Sequence, residues 1–218
     1  MKRERDPYLY EDCDVLKNKF DIKDNEQLEQ AEQNIMTLVM PQIDNFTQSD
    51  KFDYNRLKEI NLRIFESIYD WAGIERIIPM AKGERIFGGD TVRYSHPHNI
   101  KTDAGKVIKR LNSTDWQNLT NQEKVKQFSK HIAALWQAHP FREGNTRTIM
   151  TFACQFADEH GFPLNRELFA TNANHLRDCL AKASDGQYSE YEYLEKIINR
   201  AIETEIDLQK IMKLSSST

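Results

Sequence analysis

Cysteine is scarce in this chain, and the three present, Cys13, Cys154 and Cys179, are far apart and show no CxxC spacing. They suit neither a disulfide framework nor a zinc site, and read as thiols in a reducing compartment. Long apolar runs are missing too. No segment approaches the roughly 18 residues that span a bilayer, and the basic start MKRERDPYLY has no signal-peptide apolar stretch behind it. The chain also lacks an excess of one charge. Lys plus Arg number 30 against 34 Asp plus Glu, a formal net of -4, so at the whole-chain level neither nucleic acid nor membrane is expected as a partner. Neither GxxxxGK[ST] nor HExxH occurs, which argues against a Walker-type nucleotidase and a zinc hydrolase. A cytoplasmic protein is expected, although export as an effector by a signal-independent route would leave no mark.

What is present is an ordinary globular composition, 39% apolar and 29% charged over 218 residues, enough for one domain with a proper core. Apolar residues recur at helical spacing through Leu28, Ile35, Leu38 and Val39, and through Leu57, Ile60, Ile64 and Ile68. Between Ile77 and Tyr94 the pattern changes to short apolar pieces punctuated by Pro79, Gly83, Gly88 and Gly89, which suits a hairpin or an extended loop. Thr120 and Glu123 are spaced as a capping box for a helix carrying Val125, Phe128, Ile132, Leu135 and Trp136, with Pro140 ending it at Ala138 or His139. Further helices are expected over Ile149 to Phe156, Asn172 to Ala183 and Tyr191 to Ile206. The chain therefore reads as a mainly α single domain over 1–218. Its core is expected at about 50–206, with an N-terminal helical region at 1–49 and a frayed Ser-rich tail at 214–218.

The chemistry concentrates between two of these helices. A helix N-terminus offers unpaired N–H groups and the positive end of a dipole, so the loop from Pro140 into the Thr146 helix is a natural anion cradle. Gly144 allows close backbone approach. Asn145 suits either an N-cap or a phosphate contact, and Arg147 can offer a fork of donors to phosphate oxygens. Glu143 could hold Mg²⁺ beside that phosphate, and His139 could take a proton from an attacking hydroxyl near neutral pH. From the residues alone, surface or capping roles stand equally beside these.

The string HPFREGNTRT, from His139 to Thr148, resembles the Fic signature HxFx[D/E]GNGR at every defined position except the second Gly, here Thr146. Weaker likenesses lie in YLYEDCDVLKNKFDIKD and IYDWAGIERIIPMAKGERIF. The resemblance implies a Fic-type helical bundle with a small β-hairpin flap beside the active-site loop. It also implies an adenylyltransferase that moves AMP from ATP to a Ser, Thr or Tyr hydroxyl of a target protein, and of itself, releasing pyrophosphate. By position it makes His139 the general base and Glu143 the Mg²⁺ ligand. Gly144, Asn145, Thr146 and Arg147 become the nucleotide-binding set, Phe141 a core anchor of the loop, and Lys82, Gly83 and Phe87 the flap residues that clamp the target. Tyr188 and Tyr191 would lie near the adenine.

Two departures accompany the match. Many family members carry a second Arg three residues after the first to hold the γ-phosphate, and here that position is Met150. Many also block their site with a helix bearing [S/T]xxxE[G/N], and no Ser or Thr here has Glu four residues later. An inhibitor protein is an implied partner, although Met150 removes its usual contact. The alternatives carried beside AMP transfer are a Fic-fold enzyme that uses another donor or removes AMP, and a weakly active protein-binding module.

Overall fold

The computed structural model describes residues 5–46 and 51–215. Two helices form its centre, and both are buried on more than one face because several other helices pack against them. The first, α5 (Asn121–Ala138), touches α4 (Ile100–Ser113), α6 (Asn145–Glu159), α8 (Ala173–Ala183) and α9 (Glu192–Ser215). The expected capping box starts it: Thr120 Oγ1 accepts from the Glu123 N–H, and the Glu123 carboxylate accepts from the Thr120 N–H.

Helix α6 is buried continuously from Thr148 to Ala157, so its polar side chains need partners. Thr148 Oγ1 accepts from Asn61 Nδ2 at 3.0 Å, and Gln155 Oε1 accepts from Arg56 Nε at 3.1 Å. Both partners lie on α3 (Tyr54–Phe65), which packs against α6 and is capped by Asp53. Phe128, Phe156, Phe162 and Trp116 meet edge-on or stacked beneath α5 and α6, and Phe52 joins them from ahead of α3. Helix α1 (Asn25–Val39), capped by Asp24, lies against α3, while α2 (Ile43–Phe46) and α7 (Arg166–Thr171) are short connectors.

The helices expected around Leu28, Leu57, Val125, Ile149, Asn172 and Tyr191 all appear. Helix α4 was not anticipated: its apolar positions Ile100, Ala104, Ile108 and Leu111 are diluted by six charged residues or Gly. Leu214 and Ser215, expected to fray, belong to α9, and residues 216–218 lie outside the described residues.

The expected hairpin flap is corrected. No strand forms in the 75–96 segment, and among the described residues one isolated bridge, Leu9 with Leu16, is the whole β content. Two local features replace the ladder. The buried guanidinium of Arg76 lies between the two passes of chain and donates to Ile78 O at 2.8 Å and to Ser95 O, taking carbonyls that strands would have paired. At the tip, Arg85–Phe87 form a 3₁₀ turn followed by left-handed Gly88, and the Glu84 N–H donates to Asp90 O at 2.8 Å.

Candidate active site

Helix α5 ends in a turn that places its C-cap residue under constraint. His139 has φ +45, left-handed, with its N–H donating to Trp136 O. Arg76 fixes the turn from outside, with Nε donating to His139 O at 2.7 Å and its N–H to Pro140 O at 2.9 Å. The loop is then closed on itself. Asn145 Oδ1 accepts from the Phe141 N–H at 2.9 Å and Asn145 Nδ2 donates to Phe141 O at 2.7 Å, while the Phe141 ring is fully buried. Gly144, not Asn145, is the N-cap of α6, at φ +74. A Cβ there would lie 2.0 Å from the Phe65 ring, so only Gly fits the turn.

Three charged side chains meet at this helix start. Glu143 accepts from the Gly144 N–H at 2.9 Å with one oxygen and from Lys82 Nζ at 2.9 Å with the other. Burial alone would push its carboxyl up, but Lys82, the Gly144 N–H and Arg147 together hold it at about 2. Arg147 donates to Glu32 of α1 at 2.9 Å and lies over the Phe65 ring, and the same Glu32 carboxylate accepts from Tyr69 Oη. Beside Arg147 opens a cavity of about 430 Å³, whose apolar wall includes Met36, Met40, Met150, Phe169 and Leu176.

His139 is 2% exposed, and neither ring nitrogen has a hydrogen-bond partner among the described residues. Burial, then the charges of Lys82 and Arg76, hold its pKa well below the usual 6.5, so the imidazole is neutral at pH 7. Tyr94 stacks on the ring at 3.9 Å between centroids, and Trp136 meets it edge-on at 5.5 Å. Tyr94 Oη donates to Glu84 at 2.8 Å. That carboxylate is 2% exposed and also accepts two bonds from Arg177 of α8, at 3.0 and 2.8 Å.

The residues singled out in sequence thus converge, with particular occupations. His139, Glu143, Gly144, Asn145, Thr146 and Arg147 surround one helix start, and Lys82 reaches it from the 75–96 loop. Gly83 passes Gly89, and Phe87 packs partly buried against the core. Tyr188 is largely exposed beside a second cleft, lined by Thr91, Arg93 and Ser184. Sequence reading missed Glu32, Arg76, Glu84, Tyr94 and Arg177. Each acts through a partner remote in sequence, and no local pattern announces such a pair.

The Fic/DOC family pattern matches residues 51–157. The protein adenylyltransferase VbhT of Bartonella schoenbuchensis is 29% identical over 73% of this chain, although the match spans only 32% of that protein's length. A probable protein adenylyltransferase of Sinorhizobium fredii, y4lH, is 28% identical over 73% of this chain and 79% of its own. The N-terminal Fic domain of the Bep8 effector from Bartonella sp. 1-1C superposes with a TM-score of 0.74 at 21% identity, covering 89% of this chain and 93% of that one. BepC of Bartonella tribocorum, solved with bound AMPPNP, superposes at 0.72 with 23% identity, over 89% and 95%. Matched segment, relatives and fold agree in supporting a Fic-family protein.

Proposed function

We propose that this chain transfers AMP from ATP to a Ser, Thr or Tyr hydroxyl of a target protein, and to itself where one of its own hydroxyls reaches the site. The observation that carries the reading is a neutral, buried His139 set beside a helix N-terminus equipped with Gly144 and Arg147. Relatives named protein adenylyltransferases and a fold neighbour with bound AMPPNP support it. The target oxygen attacks the α-phosphorus, the bond from that phosphorus to the bridging oxygen breaks, and pyrophosphate leaves with the electron pair. Neutral His139 takes the hydroxyl proton. Gly144, the main chain of Asn145 and Thr146, and the Arg147 side chain form the phosphate cradle, with the α6 dipole oriented towards the negative charge.

Glu143 would hold Mg²⁺. No group of three or more metal-ligating side chains occurs among the described residues, and a single carboxylate completed by phosphate oxygens and water is a usual Mg²⁺ arrangement. The Glu143 carboxylate is ionised and already attracts the Lys82 ammonium, which fits a cation site. When bound, the metal supplies charge neutralisation at the phosphates. Lys82, Gly83 and Phe87 would receive the target segment. His139 is covered, so the 75–96 loop must shift for a hydroxyl to enter.

The test is purified protein with Mg²⁺ and α-labelled ATP, alone and with cell lysate, beside His139→Ala. Label on protein is expected, falling by about 10²- to 10⁴-fold in the variant while ATP binding persists. Met150, buried where many relatives carry Arg, favours a parallel trial of UTP and CDP-choline. Labelling by one of these and none by bound ATP would overturn the AMP reading.

A further inference from the structure

The imidazole of His139 is held by no hydrogen bond of its own, since both ring nitrogens are unpartnered and buried among the described residues. A general base ordinarily has one ring nitrogen oriented by a third group. Something else must fix this ring, and two aromatic side chains, Tyr94 and Trp136, pack against it. Trp136 lies one turn earlier on α5 and meets His139 at 89°. It is fully buried, so its indole N–H needs an acceptor, and that acceptor is Thr146 Oγ1 at 2.9 Å, the second residue of α6. Tyr94 covers the imidazole face at 28° and is itself tied to Glu84.

We propose that Thr146 is a positioning residue for His139: its hydroxyl anchors Trp136, and Trp136 and Tyr94 together clamp the imidazole. The proposal rests on the transfer reading above. It has an unusual corollary, because Thr146 stands where the Fic signature has Gly. Gly at 146 would leave the indole N–H without its acceptor and the ring free to tilt. Restoring the family residue should therefore impair this chain.

The experiment compares Thr146→Gly, Thr146→Val and Thr146→Ser for kcat and nucleotide KM in the labelling assay, with melting temperatures recorded. Thr146→Val keeps the β-branch and size but loses the acceptor. Thr146→Gly and Thr146→Val are expected to lower kcat by about 10- to 100-fold with KM changed by less than about threefold. Thr146→Ser, which keeps the hydroxyl, should recover most of that loss. In a Trp136→Phe background, which has no indole N–H, Thr146→Val should add little, and this non-additivity is a readout that a general loss of stability would not give. Unchanged kcat in Thr146→Val would overturn the proposal, and so would a rise in KM alone, which would place Thr146 on the nucleotide. If wild type labels nothing, the transfer reading fails, and the clamp is then read from ¹⁵N-imidazole NMR. A single sharp His139 signal pair in wild type that broadens in Thr146→Val supports it, and identical spectra overturn it.

Discussion

At Glu143, burial and charge pull in opposite directions, and charge prevails. A carboxyl held at about 2 against a usual 4.5 contributes stability that is fully present above about pH 4.5 and lost as pH falls through 2. Lys82 is the first of the groups opposing burial. Lys82→Met should therefore cost about 2 kcal/mol at pH 7, and the gap to wild type should narrow as pH is lowered to 3. Urea denaturation at the two pH values checks this, and a gap independent of pH would show that Lys82 acts through packing. His139 follows the same sign, with its contribution present above 6.5 and declining below it. The contiguous string from His139 to Arg147 was open to sequence reading because its members are neighbours. The devices that neutralise it, Lys82 on Glu143 and Glu32 on Arg147, were not, because they are 61 and 115 residues away along the chain.

At the scale of elements, the start of α6 depends on a single glycine. Gly144 combines φ +74 with the Phe65 ring against its Cα, so Gly144→Ala meets backbone strain and overpacking together. A loss of about 2–5 kcal/mol is expected, read as a lowered urea midpoint. A variant within 1 kcal/mol of wild type would mean that Phe65 moves aside freely. Helix α5 was legible from its Thr120–Glu123 box to its Pro140 stop, because caps and apolar period are local physics. Over 77–94 the sequence leaves a hairpin and an extended loop both open, for the converse reason, and the loop is what forms. Its apolar pieces and glycines do favour turns and extended chain, but the carbonyls that would build a ladder are claimed by Arg76, and that choice exists only once the loop docks on α5.

Across the whole molecule, ion pairs hold the tip of the 75–96 loop at two places. Its Glu84 and Arg85 pair with Arg177 and Asp178 of α8, and its Lys82 pairs with Glu143 at the start of α6. Arg177→Met would leave the buried Glu84 with Tyr94 as its one side-chain partner among the described residues. Because Arg177 is itself about a third exposed, a modest cost of about 1–3 kcal/mol is expected, confined to the loop. Hydrogen exchange should quicken at 82–92 and stay unchanged in α5 and α6; uniform quickening would show that the mooring supports the whole fold.

The pairing of Arg147 with Glu32 and of Glu143 with Lys82 also shapes how the site meets an ionic ligand. Neither charge waits unbalanced for a nucleotide. On the proposed reading, nucleotide binding would swap internal partners for external ones, so the number of ion pairs would change less than the number of contacts in the complex. The dependence of nucleotide affinity on ionic strength should consequently be shallow, because added salt loosens the partners being released along with those being formed.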